Sequence, residues 1–193
     1  MTQLNEVRPS STTRSATATW QISLAGNQRG AVVEGPQKQF FRAVATDGLC
    51  GASDLSAYSV ALTPDRQVIP HYHEDDRIVV MRSGTAVTLL AAPDESTWEV
   101  ALVSGPGDMI FIPAFWRHQA VCLHDVDALE ISGDARFNHS VVLAPEFERP
   151  DVEQELREQY SAGRLARGAH LLTGLAQPRE PLGAGDVGHV LPS

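Results

Sequence analysis

The 193-residue chain carries 24 acidic against 15 basic side chains, a formal net charge of -9. No Lys/Arg cluster reverses that balance locally, so nucleic acid and anionic membrane surfaces are excluded as partners. Hydrophobic residues at 42% and charged residues at 20% suit one soluble domain with a real core and exclude global disorder.

In chain order, residues 1–18 are rich in Ser, Thr and other polar types and read as a flexible N-terminal arm. They lack the apolar stretch of a signal peptide, and no run of about 18 apolar residues follows, so a cytoplasmic location is the expectation. Residues 19–148 are assigned to one barrel domain. Short runs rich in Val, Ile, Phe and Leu alternate there with turn formers: A-V-V-E-G, Q-F-F-R-A-V-A, A-Y-S-V-A-L-T-P-D, R-I-V-V-M-R-S-G-T-A-V-T-L-L, W-E-V-A-L-V-S-G-P-G-D and M-I-F-I-P. That pattern predicts many short strands in a sandwich or closed barrel. Pro64-Asp65 and Gly105-Pro106-Gly107-Asp108 are turn signals, and Ala92 to Ser96 reads as a hairpin tip. Residues 149–175 read as a helical segment. Pro150 opens it, Asp151 and Glu153 suit its positive end, and Val152, Leu156 and Tyr160 form one apolar stripe. Gly163 and Gly168 interrupt it, with a second short helix expected around Leu165 to Leu172. Residues 176–193 form a Pro/Gly-rich tail.

Two cysteines, Cys50 and Cys122, are too few for a disulfide framework and lack Cys-x-x-Cys spacing. Both are expected to be buried small hydrophobes.

The residues that carry chemistry begin with Pro70-His71-Tyr72-His73. On a strand, positions two apart face the same way, so His71 and His73 present two imidazoles to one point, while Tyr72 faces the other side. Neutral imidazole is the commonest metal ligand. Downstream, the turn at Gly107-Asp108 leads into the apolar run Met109-Ile110-Phe111-Ile112, which Pro113 ends, and His118 follows.

Taken together, P-H-Y-H-E-D-D-R-I-V-V-M-R-S-G (Pro70 to Gly84) and G-D-M-I-F-I-P-A-F-W-R-H-Q (Gly107 to Gln119) resemble the two motifs of the cupin superfamily, as found in small single-domain bacterial members. The resemblance covers roughly residues 30–145. It implies an all-β jelly-roll barrel with His71, His73 and His118 as metal ligands lining its interior. It also implies one divalent ion per chain, with Fe(II) favoured and Zn, Ni or Mn as alternatives, and a homodimer.

The chain departs from the family pattern in two places. Where that pattern has a glutamate ligand, four residues after the second histidine, this chain has Arg77; where it has a glycine, this chain has Phe115. A guanidinium about 5 Å from a divalent ion is repelled by roughly 6–7 kcal/mol at an effective dielectric of about 20. Arg77 must therefore turn away or be neutralised if metal is bound. Three readings stay open at this point. Three histidines alone hold the ion and Arg77, as a catalytic residue, anchors an anionic substrate group. Alternatively, Asp75 or Asp76 serves as the carboxylate ligand. In the third, the metal is lost and the barrel only binds.

Met81, Val79 and Phe111 are expected to face the barrel interior, with Met81, Phe111 and Trp116 contacting substrate. Gln119 is expected to hydrogen-bond near the pocket mouth. His124, His139, His170 and His189 are read as surface or tail residues. Phe40 and Phe41 must face opposite ways, so one of them can be buried at a subunit contact, and the Val152-Leu156-Tyr160 stripe is expected to pack on the barrel or on a second subunit; both features are consistent with a homodimer. Neither a Gly-x-Ser-x-Gly elbow, nor a phosphate-cradling loop, nor a helix-turn-helix segment is present. The resulting expectation is a metal-dependent enzyme acting on a small molecule, foremost an Fe(II)-dependent dioxygenase with a three-histidine site. A metal-assisted isomerase, cyclase or lyase and a non-catalytic binding protein are the alternatives.

Overall fold

A computed structural model describes residues 32–50, 52–136 and 140–172. The N-terminal arm, the start of the barrel assignment, the tail, His139 and His189 therefore lie outside the described residues, as does the side chain of Cys50. The strands are β1 (Val33–Glu34), β2 (Phe40–Ala45), β3 (Ser56–Leu62), β4 (His71–Tyr72), β5 (Arg77–Ala91), β6 (Val100–Ser104), β7 (Met109–Ile112), β8 (Arg117–Ser132), β9 (Val142–Leu143) and β10 (Gly168–Leu171). A four-residue helix, α1 (Asp47–Cys50), follows β2, and α2 (Pro150–Ser161) follows β9.

All pairings are antiparallel, in the order β1-β2-β3-β8-β5-β6-β10, with β4 on β8 and β9, and β7 on β5. The two long strands make the jelly roll. The first part of β5 lies beside β7 and its last part beside β6, while β8 runs along its other edge throughout. Likewise β8 meets β4 at its start and β3 at its end. Each long strand thus passes from one layer to the other, and the register between them shifts over Met81 to Ala86, where they bend. Gly84 sits at that bend with φ +82°, and a Cβ there would fall 2.1 Å from the carbonyl oxygen of Asp125. Only glycine permits so close an approach of the two backbones.

Alternation along the strands separates two apolar clusters. The inner one, with Phe41, Tyr58, Val60, Leu62, Met81, Ile110 and Val126, fills the barrel. Phe41 packs edge-on against Tyr58 with centroids 6.1 Å apart, whereas Phe40 faces the other way under the Arg66 guanidinium. The outer cluster joins Val87, Leu89, Trp98 and Val121 to Phe147, Val152, Leu156 and Leu165. Helix α2 therefore covers one outer face of the barrel. Burying Val152 and Leu156 there stabilises the fold by roughly 1.5–3 kcal/mol each. Of the two covers open to the stripe, the barrel is the one found, and Phe41 is likewise used within the chain, so neither supplies a subunit contact.

Pro150 stands at the N-terminus of α2, and Gly163, with φ +67°, ends it by donating to the Tyr160 carbonyl at 2.9 Å. The expected second helix is replaced by β10, which pairs with β6 from Gly168 opposite Val103 to Leu171 opposite Val100. A segment this short carries no clear period, and the open edge of β6 decides its conformation. His170, expected at the surface, is consequently buried, and its Nε2 donates to the Ala166 carbonyl at 2.7 Å. His124 is exposed, as expected, and lies against Tyr160. Cys122 is buried, which pushes its thiol up to about 11 and leaves it protonated and inert. Among the described residues no helix is long and apolar enough to cross a membrane.

Candidate metal centre

His71 and His118 are direct cross-strand partners of β4 and β8, and His73 follows β4 on the same face. All three are buried, and one nitrogen from each lies within 4.8 Å of the other two. Ring centroids are 4.3 Å apart for His71 and His118, 5.1 Å for His71 and His73, and 5.2 Å for His73 and His118. Burial holds the imidazoles of His71 and His73 well below the usual histidine range, and the neighbouring His118 adds to the effect in both. For His118, burial brings the value down to about 4 against the opposing backbone bond to Trp116. Neutral rings keep the lone pairs that ligation requires.

Tautomers follow from partners that only accept or only donate. The Nδ1–H of His71 donates to the Ile69 carbonyl at 2.8 Å, and that of His118 to the Trp116 carbonyl at 3.0 Å. Both therefore present a lone pair on Nε2 and are oriented as metal-binding histidines usually are. The arrangement at His73 differs. Its Nδ1 accepts from Nη2 of Arg77 at 3.1 Å, which puts the neutral ring's proton on Nε2. Ligation through that nitrogen requires the proton to leave and the Arg77 contact to yield. The donor set fits a divalent ion, with two positions preset and the third in competition with Arg77.

Arg77 is almost wholly buried and held on two sides. Its Nη2 donates to Asp75 at 3.0 Å and its Nη1 to Glu130 at 3.2 Å. With both carboxylates ionised this trio carries one net negative charge, so its field attracts a cation and removes the repulsion expected from Arg77 alone. Asp75 in turn accepts from Ser132 at 2.6 Å and Ser140 at 2.8 Å. Asp76 accepts from the Ala114 amide at 2.8 Å. Neither aspartate joins the histidine cluster, which contains no carboxylate among the described residues; the carboxylate-ligand reading is corrected accordingly.

His118, Arg77 and Met81 line a cavity in the barrel together with Val79, Ile110 and Glu130. Its interior volume is about 50 Å³, measured as the space open to the centres of water-sized molecules. Phe111 is not among its walls. The β5–β7 register sets Ile110 opposite Val79 and Phe111 opposite Ile78, which turns Ile110 and Ile112 inward and leaves Phe111 half exposed on the outer face. The run Met-Ile-Phe-Ile is apolar at every position, so its sequence carries no parity. Trp116 packs partly buried against the inner cluster, away from the cavity lining, and its carbonyl holds His118. Gln119, expected near the mouth, faces the opposite side of β8. There it donates to the Val68 carbonyl at 2.8 Å and to Glu153 of α2 at 2.6 Å, tying the helix to the strand that carries His118.

Phe115 has φ +66°, a region that favours glycine, and its amide donates to the His73 carbonyl at 2.6 Å. The left-handed turn that carries this bond explains why a glycine suits that position. Glu130 also belongs to the site, although no sequence motif marks it. Its signal was parity: it shares the alternation of Ala128 and Ser132, all buried, in a strand where the odd residues face outward.

No family model matches the sequence, and no curated protein matches it significantly. Solved structures do match. The polyketide cyclase RemF from Streptomyces resistomycificus aligns with TM-score 0.52 at 19% identity, over 75% of this chain and 94% of that one. A variant of oxalate decarboxylase from Bacillus subtilis aligns with TM-score 0.52 at 18% identity, over 70% of this chain and 35% of its own. The oxalate decarboxylase of Lactobacillus farciminis, in a formate complex, gives TM-score 0.50 at 16% identity over 59% and 33%. This chain thus spans about a third of the length of the decarboxylases, and the likeness is one of fold.

Proposed function

We propose that this chain, a cupin by fold, is a metal-dependent enzyme for small, mostly apolar substrates, with the ion held by His71, His73 and His118. The observation that supports this most is the pair of backbone bonds that fix Nδ1–H on His71 and His118 while all three rings stay neutral. Bound there, a divalent ion supplies Lewis acidity or, if it is iron, the activation of oxygen. A non-redox cyclase-, isomerase- or lyase-type reaction is the reading favoured by Glu130, a buried carboxyl group in the same cavity. Fe(II)-dependent dioxygenation, with molecular oxygen as co-substrate, is the second reading, favoured by the motif resemblance and by a ligand set that leaves positions open.

Protein purified without chelator or affinity tag is expected to carry about one divalent ion per chain by elemental analysis. Replacing all three histidines by alanine abolishes it and leaves the β-type circular dichroism spectrum. Because Arg77 competes for His73, the single changes His71→Ala and His118→Ala weaken zinc binding more than His73→Ala, by about tenfold or more. Stoichiometric metal in the triple variant overturns the assignment. Oxygen consumption by the iron-loaded form with substrate decides between the two reactions.

The homodimer reading moves to another surface. On the outer face, Phe111, Ile78, Ile131 and Ala57 are successive cross-strand partners, and Met109, Val80 and Leu129 form the next row. Met109 is 70% exposed and Phe111 51%, a row of apolar groups that a second copy would cover. Light scattering at tens of micromolar is expected to give a dimer for the natural chain and a 20.9 kDa monomer for Met109→Lys/Phe111→Glu. A monomeric natural chain ends this reading.

A further inference from the structure

We propose that Glu130 is the residue of this cavity that exchanges a proton with the bound molecule, and that this molecule is an uncharged carbonyl compound with an acidic α C–H rather than a carboxylate. The proposal deepens the metal-enzyme reading and rests on it for the place of the carbonyl oxygen.

Glu130 lines the same cavity as His118, and both project from the inward face of β8. Its Oε1 accepts from Arg77, whereas its Oε2 makes no hydrogen bond among the described residues. The carboxylate is thus fixed through one oxygen and has the other available. Burial raises its affinity for a proton, the Arg77 charge opposes that, and Asp75 adds to it. A carboxylate so placed is a stronger base than an exposed one.

The same trio selects against anions. Arg77 is the only cationic side chain lining the cavity among the described residues, and its charge is shared by two carboxylates. A substrate carboxylate brought beside it meets a net negative group. The remaining walls, including Val60, Leu62, Val79 and Met81, suit an uncharged hydrocarbon body. In the step itself the α C–H bond breaks and its proton forms an O–H bond on Glu130. The C–H electron pair becomes the carbon–carbon double bond as the carbonyl π pair moves onto oxygen. Return of a proton to carbon reverses it, so no oxidant or reductant is consumed.

The test uses the full chain loaded with zinc, cyclohexanone as the probe and D2O as the solvent, with loss of the α-proton signal followed by NMR. Wild type is expected to exchange well above the zinc-containing buffer. Glu130→Gln is expected to exchange on the order of a hundredfold more slowly, with its zinc content unchanged. Should the glutamine variant fail to fold, Glu130→Asp keeps the charge beside Arg77 but withdraws it from the cavity, and is expected to slow exchange about tenfold at full zinc content. Cyclohexanecarboxylate is expected not to inhibit. Variant exchange at the wild-type rate, inhibition by the carboxylate, or zinc uptake without exchange overturns this proposal alone. Failure of wild type to take up zinc overturns the metal reading and this one with it.

Discussion

Metal-free protein is expected to lose stability steeply as the pH falls below about 6.5, with His118 alone contributing about 3 kcal/mol by pH 4. The folded-state value of His118 is about 4, below that of an exposed histidine, so below about pH 6.5 the unfolded chain binds more protons than the native one. The stabilisation is complete above that pH and disappears on the way down to the folded value. His71 and His73 shift in the same direction for the same cause, burial, and steepen the loss. Glu130 acts with the opposite sign. Its carboxyl is raised by burial, so it costs stability at neutral pH and regains some in acid, without matching three histidines. Urea midpoints at pH 7.5, 6.0 and 5.0 check this. A midpoint unchanged between pH 7.5 and 5.0 contradicts it, and His118→Gln is expected to flatten the curve.

Replacing Arg77 by methionine is expected to cost about 3–5 kcal/mol, because two carboxylates are left beside each other in the barrel without their cation. Equilibrium urea denaturation at pH 7.5 measures the loss. The double variant Arg77→Met/Glu130→Leu is expected to recover a substantial part, since it removes the most deeply buried orphan along with its partner, while Asp75 keeps its bonds from Ser132 and Ser140. Arg77→Lys is also expected to destabilise, because an ammonium cannot span His73, Asp75 and Glu130 as the planar guanidinium does. If Arg77 served chiefly to anchor an anionic substrate, these changes would lower stability little, and a loss under about 1 kcal/mol for Arg77→Met would favour that role.

What the sequence revealed of this site depended on period. His71 and His73 were legible because a two-residue spacing on a strand has one geometric meaning, and the turn, apolar run and proline before His118 fixed the second motif. The position of Arg77 on the cavity side followed from the same parity. Its ion pair with the neighbouring Asp75 was also open to a local reading, but the one with Glu130 was not, because Glu130 comes from a strand 53 residues further on and no local pattern links the two. Phe111 was misplaced because four successive apolar residues leave two registers open, and the pairing with β5 chooses between them. The Val152-Leu156 stripe was legible as a buried helix face, but sequence does not say what covers such a face. Here the cover is the outer layer of the chain's own barrel.

The strand order has a consequence for how the chain is made. β8 lies at the centre of the sheet, between β3 and β5, yet it is synthesised after both. Leu62 closes β3 but meets Val126, and Ser56 at its start meets Ser132. At about 5–20 residues per second, β3 waits on the order of several seconds on the ribosome before its second neighbour exists. During that interval the inward faces of β3 and β5, including Val60, Leu62 and Met81, have no barrel to enter. Pairings between strands so far apart in sequence also form slowly once they are available. Slower translation between β5 and β8 would lengthen the interval in which these apolar faces stand open to aggregation.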